Sequence, residues 1–313
     1  MYQNTFLVFG IGVFLILIPG IQYLRAINKM LKKEREFTRS PFSEKLLRPP
    51  GESLRIKIDG IRDEIHDLSV TFILSILSPG IICLSVSHLP VVHVIILIVI
   101  ACCISSFFLR RTWKKLTILR NDLINYRLGF DGERCVAAEL APLATKGYHI
   151  FHDFVYDMRP GGDETNFNID HIAVGPEGVF AIETKAKRKL TKSPVNELQP
   201  HEITVEGTSV ENTTLRFPDG STDNKPIAQA IRQAESLQRW LSKSGITLEV
   251  RPLVVFPGWL IKSPHWKNLG VQSAKNIASR LPDLGRGRRL STQEVQQIAA
   301  RLEDKCRNLE GAK

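Results

Sequence analysis

The stretch Asn168-Ile-Asp-His-Ile-Ala-Val-Gly-Pro-Glu-Gly-Val-Phe-Ala-Ile-Glu-Thr-Lys185 decides the fold of the second half of the chain. Gly175-Pro176-Glu177-Gly178 has Pro second and Gly fourth, which suits a type I turn between two strands. A hairpin centred on Pro176 and Glu177 sets Val174 opposite Val179, Ile172 opposite Ala181 and Asp170 opposite Glu183. Side chains alternate with period two, so Lys185 joins Glu183, and one sheet face presents Asp170, Glu183 and Lys185 together. A one-residue bulge at the turn would shift that register. The flanking Ile169, Ile172 to Val174 and Val179 to Ile182 are apolar on both faces, which predicts buried strands.

Two carboxylates facing each other in a buried sheet repel unless a counter-charge is present. A hard cation such as Mg²⁺ resolves the conflict, because it prefers oxygen ligands and takes one or two carboxylates plus waters and phosphate oxygens. A lysine beside it would orient an attacking water and stabilise charge building on phosphorus, which is phosphodiester-hydrolysis chemistry. The plainer alternative is that Asp170 and Glu183 are solvated at the sheet rim and Lys185 makes an ordinary ion pair.

Working outward, residues 129–313 read as one α/β domain. Val136, Leu140 and Leu143 predict a helix from near Asp131, bent or restarted at Pro142. Strands are expected over Tyr148 to Val155, Asn168 to Val174 and Val179 to Thr184, with a turn-rich loop at Arg159 to Asp163. The polar stretch 190–225 reads as an excursion with a short strand at Glu202 to Val205. Pro226 opens a helix with Ile227, Ile231, Ala234, Leu237 and Leu241 on one face; Arg251 to Phe256 reads as a strand. Ser291 and Glu294 resemble a capping box for a last helix to about Arg307.

Gly129-Phe-Asp-Gly-Glu-Arg134, Ile169-Asp-His171, Gly178-Val-Phe-Ala-Ile-Glu-Thr-Lys185 and Pro226-Ile-Ala-Gln-Ala230 together resemble the nuclease-related domain, NERD. That family is placed in the PD-(D/E)xK nuclease superfamily, and the resemblance implies a restriction-endonuclease-like αβββαβ core with a mixed four-stranded sheet flanked by helices. It implies Asp170 and Glu183 as ligands of Mg²⁺ (or Mn²⁺), Lys185 as the catalytic lysine, Glu133 as a further acid from the first helix, and Gln229 as a site residue from the later helix. Without the family, Glu133 reads equally as a first-turn acid favoured by the helix dipole, and Gln229 as ordinary helix surface. His171, adjacent to Asp170, points to the opposite face and reads as a core histidine. Lys187, Arg188 and Lys189, with Arg286, Arg288 and Arg289 of a Gly-rich loop, are candidate phosphate contacts or solvated charge. P-loop, G-x-S-x-G, H-E-x-x-H and dinucleotide fingerprints are all absent from the sequence.

The first half is different. Thr5 to Leu24 is uncharged, and twenty residues of helix rise about 30 Å, the thickness of a bilayer's hydrocarbon core. Leu68 to Leu109 is a second uncharged stretch, long enough for two spans, Leu68 to Val86 and Val91 to Leu109, with Pro79-Gly80 inside the former. Arg25, Lys29, Lys32, Lys33, Arg35 and Arg39 follow the first span, and Arg110, Arg111, Lys114, Lys115 and Arg120 follow the third. The positive-inside rule then places the N-terminus outside and both 25–67 and everything after Arg110 in the cytoplasm. The expected organisation is span 1–24, basic loop 25–67, helical hairpin 68–109, basic juxtamembrane linker 110–128 and the nuclease-like domain 129–313.

The whole chain of 313 residues carries a formal charge of +10, which invites a generally basic nucleic-acid binder. Residues 1–128 hold 17 Lys and Arg against 9 Asp and Glu, so +8 of that charge belongs to the membrane half and reports topology. Five cysteines, without metal-ligand spacing, read as small hydrophobes. The expectation is a cell-membrane protein of three spans whose cytoplasmic domain is a Mg²⁺-dependent endonuclease acting on DNA, with RNA open because nothing reads a 2′-hydroxyl. The alternative is a catalytically silent domain that tethers nucleic acid or a protein partner at the bilayer; oligomeric state is not legible.

Overall fold

The computed structural model describes residues 46–85, 89–156, 167–189, 201–263, 265, 270–285 and 287–307. The expected first span and Arg286 lie outside these residues. The chain divides into two compact units, Met1–Glu44 with Asp59–Leu123, and Lys45–Ile58 with Ile124–Lys313.

Two long helices run through both units: α1 (Glu52–Ser85) and α2 (Val91–Leu140). In the first unit they touch through the Phe72 and Trp113 rings, 6.4 Å between centroids, and through Lys115 Nζ, 2.5 Å from Glu64. Val91, Val92, Ile95, Val99, Ile104 and Phe107 are all more than half exposed. A soluble helix turns such a face inward, and a contiguous apolar surface of this kind marks contact with lipid or protein. The helix beginning at Val91 is the one described helix long and apolar enough to cross a membrane.

Both helices extend beyond the expected bounds. The segment expected as a loop up to residue 67 is helical from Glu52, and the expected linker 110–128 is helix throughout. No proline interrupts Val91 to Leu140, and Gly129 and Gly132 cost a helix only about 1 kcal/mol each, so nothing stops α2 before Leu140. A 3₁₀ helix, Ala141–Lys146, begins there with Pro142 in its first turn, and Gly147 closes it at φ +79°.

In the second unit a five-stranded mixed sheet has the order β1 (His149–Tyr156), β2 (Phe167–Gly175), β3 (Gly178–Thr184), β7 (Val250–Phe256) and β9 (Val271–Ser273). The β1–β2 and β2–β3 pairs are antiparallel; β3–β7 and β7–β9 are parallel. α3 (Lys225–Lys243) and α5 (Thr292–Cys306) cover one face, where Ala234, Leu237 and Leu241 meet Ile172, Val174, Val179 and Ala181, and where Val295, Ile298 and Leu302 join the same core. The end of α2 and the segment around α4 (Ile277–Arg280) cover the other, packing Val136, Leu140 and Ile277 on Ala173, Phe180 and Ile182. Strands buried on both faces explain the unbroken apolar runs of β2 and β3.

The excursion before α3 is more ordered than the sequence suggested. β4 (Glu202–Glu206), β5 (Thr214–Arg216), β6 (Thr222–Asp223) and β8 (Leu260–Lys262) form a second, four-stranded sheet. Its Ile203, Val205, Leu215 and Phe217 pack on Ile227, Phe256 and Trp259. Ser291 and Glu294 make the capping box that starts α5.

Candidate active site

The β2–β3 ladder pairs Gly175 with Gly178 through to His171 with Ile182, the register expected from the turn. One step further, Asp170 and Glu183 stand side by side at the end of the pair, both buried. Period-two alternation puts them on the face that α3 covers.

Glu183 is held on both oxygens. Oε2 accepts from Gln233 Nε2 at 2.6 Å, and Oε1 accepts from Gln229 Nε2 at 2.8 Å and from Lys185 Nζ at 2.6 Å. Lys185 Nζ also donates to Gln229 Oε1 at 3.0 Å. Gln229 and Gln233 are one helical turn apart and project from one side of α3. Gln233 was not anticipated; its signal was the i,i+4 spacing from Gln229. It also donates to the Asn168 carbonyl at 2.9 Å, tying α3 to β2.

Asp170 Oδ2 accepts the Thr184 amide at 2.7 Å. Burial, and the carboxylates of Glu183 and Glu133, raise its pKa well above the usual carboxylate range against that amide and the nearby Lys185. Glu133 lies well inside α2, so the helix-dipole account of it falls. Its Oε2 is buried and has no hydrogen-bond partner among the described residues. Burial, then the neighbouring Asp153 and Glu183, push its pKa up to about 8. α2 reaches this position because residue 132 is glycine: a Cβ there would come within 2.7 Å of the Ala186 Cβ, just past Lys185.

Asp153 is a buried acid that sequence reasoning missed. It adopts φ +52° inside β1, and its carboxylate accepts from Asn168 Nδ2 at 2.7 Å, the Ser53 amide at 3.1 Å and the Ser53 hydroxyl at 2.9 Å, and forms an ion pair with Arg48, whose Nε lies 3.2 Å away. A lone Asp in the apolar run His149 to Tyr156 was the only sequence signal. His171 faces away from this cluster: its Nδ1 lies 2.8 Å from His152 Nδ1, one ring donating and the other accepting. Burial lowers the pKa of both, His152 to about 4, so the pair is neutral.

The basic residues are mostly engaged with protein. Lys187 Nζ sits 3.3 Å over the Phe217 ring, and its carbonyl accepts Trp259 Nε1 at 3.0 Å; Arg188 and Lys189 are exposed. Arg288 pairs with Glu294, and Arg289 with Glu177 at 3.1 Å.

Among the described residues no three His, Cys, Asp or Glu side chains form a preformed metal cage. Mg²⁺ needs only one or two carboxylates beside water and phosphate oxygens, and Asp170 and Glu183 match that donor set. The unpartnered oxygen of Glu133, and the raised pKa of Glu133 and Asp170 that burial and then the neighbouring carboxylates cause, are what a cation would relieve.

No curated protein and no solved structure matches the chain. Residues 128–257, from just ahead of Glu133 to just past β7, match the family described as NERD, nuclease-related domain, and that stretch carries every residue of the Asp170, Glu183, Lys185 and Gln229 cluster.

Proposed function

We propose that the protein is a membrane-anchored, Mg²⁺-dependent nuclease that hydrolyses phosphodiester bonds in DNA. The observation that carries this reading is the meeting, at one end of the β2–β3 pair, of Asp170, Glu183 and Lys185, with Glu133 close enough to help raise the pKa of Asp170. Asp170 and Glu183 hold the cation, and Mn²⁺ would serve in its place. When bound, the metal supplies a Lewis acid and an activated water. Lys185, fixed between Glu183 Oε1 and Gln229 Oε1, keeps its ammonium at the site, where it stabilises negative charge on the phosphate. Gln229 and Gln233 orient the Glu183 carboxylate. Lys187, Arg188, Lys189, Arg286, Arg288 and Arg289 are the basic groups proposed to meet backbone phosphates.

The N-terminal run and the hairpin make three spans, with the C-terminal domain cytoplasmic. The exposed apolar face of α2 from Val91 to Phe107 supports a span there. A nuclease assay on the detergent-solubilised chain tests the activity: cutting of DNA that needs Mg²⁺ and fails in Asp170→Ala supports it, and equal cutting by Asp170→Ala contradicts it.

A silent domain that tethers nucleic acid or a protein is the second reading. It is favoured by the full occupation of Glu183 by three protein donors. Calorimetry with Mg²⁺ separates the two, because a silent domain shows no heat that depends on Asp170.

A further inference from the structure

The segment ahead of α1 lies far outside the nuclease-related stretch, yet it enters the second unit beside the acidic cluster. Leu47 pairs antiparallel with Arg307, and the Arg48 amide donates to the Cys306 carbonyl at 2.8 Å, fastening the segment to the end of α5. Gly51, at φ +78°, has the Phe130 ring against it: a Cβ there would come within 2.6 Å of the ring. From this seat Ser53 donates both its amide and its hydroxyl to Asp153 Oδ2. Arg48 contributes its charge to Asp153 Oδ2 and a hydrogen bond from its NH1 to the Asp153 carbonyl at 3.2 Å.

Amides at the start of a helix have no partner within it. Here the first turn of α1 finds its acceptor in the Asp153 carboxylate. Asp153 is fully buried in an uncommon backbone conformation, one that persists only where the surroundings fix it. Asn168, which fixes Asp153 from the other side, is two residues from Asp170 and carries the carbonyl that Gln233 also binds. One connected set of contacts therefore runs from Arg48 and Ser53 through Asp153, Asn168 and Gln233 to Glu183.

We infer that residues 46–53 form a strap that is part of the nuclease-like domain, and that Ser53 and Asp153 are positioning residues which set β2 for the site. The catalytic part of this inference rests on the proposed nuclease function; the strap's seat on Asp153 does not. The chain supplies the strap from ahead of α1, so the domain is complete only with residues from both sides of the apolar helices.

Coupling between two groups is reciprocal, so a strap that holds Asp153 is itself held by Asp153. Amide hydrogen exchange on the full chain in detergent micelles reads this without any activity. The Ser53 amide should exchange at least tenfold more slowly than a free amide, and Asp153→Ala should speed it about tenfold while the α3 amides keep their protection. Free exchange of Ser53 in the wild type, or no response to Asp153→Ala, overturns the strap. If Asp153→Ala does not fold, Leu47→Cys with Arg307→Cys decides: the paired backbones suit a disulfide, and failure to form it under mild oxidation overturns the seat. In the cleavage assay Ser53→Ala should lose about tenfold in rate and Ser53→Thr should recover it; Ser53→Ala cutting like wild type overturns the positioning role. A wild-type chain that cuts nothing while Ser53 still responds to Asp153→Ala removes the nuclease reading and leaves the strap standing.

Discussion

At Asp170 stability and function oppose each other. Its carboxyl is buried against Glu183 and Glu133, which hold its pKa high, and the Thr184 amide offers it only one hydrogen bond. Asp170→Asn keeps an acceptor for that amide and removes the repulsion, so without metal the variant should melt higher, by about 1–2 kcal/mol, while losing Mg²⁺-dependent cutting. Thermal melting beside a cleavage assay checks both halves. Gln233 behaves in the opposite way: Gln233→Leu leaves Glu183 Oε2 and the Asn168 carbonyl without their donor and should cost about 1–3 kcal/mol in a denaturant titration. Glu133 keeps its proton in the fold up to about pH 8, whereas the unfolded chain releases it near the ordinary value of 4.5. The folded state therefore binds more protons across that window, and metal-free stability falls as pH rises through it. Glu133→Gln should flatten this decline, measured as melting temperature against pH.

The approach of α2 to β3 depends on Gly132, beside the residue that delivers the acid. Gly132→Ala drives a Cβ into Ala186 and should cost about 1–3 kcal/mol with loss of cutting, whereas Gly60→Ala, with open space around it, should be neutral or stabilising in the same melting assay. The β2–β3 hairpin was legible because the Gly175-Pro176-Glu177-Gly178 turn alone fixes register within eighteen residues of sequence. α3 and α5 were legible for the same local reasons, a first-turn proline and a capping box. The continuity of α2 was not, because Gly129 and Gly132 resemble a boundary and only packing shows that the helix passes through them. β5, β6, β8 and β9 are two or three residues long, below the length at which period two can be read. Asp153 was hidden because its donors, Arg48 and Ser53, lie about a hundred residues away in sequence.

For the whole molecule, protons and metal compete for the same carboxyls. His152 and His171 are neutral in the fold at pH values where the unfolded chain charges them, so their contribution is lost as pH falls from about 6.5 towards 4, opposite to the Glu133 limb. Mg²⁺ binds ionised oxygens and displaces protons, so its stabilisation of the chain should grow between about pH 6 and 9, read as the shift in melting temperature at fixed Mg²⁺. Of the charge of +10 with which a nucleic-acid binder might be argued, +8 lies in residues 1–128, so under the proposed function affinity for DNA would rest on the metal and on local basic groups. The most direct test of the central claim is Mg²⁺-dependent cleavage of DNA by the purified full chain, set beside Asp170→Asn and Lys185→Ala. The expected result is cutting by the wild type that chelation abolishes, none by Asp170→Asn, and at least about a hundredfold loss in Lys185→Ala; cutting that survives either substitution unchanged, or a wild type that neither cuts nor binds Mg²⁺, would contradict it.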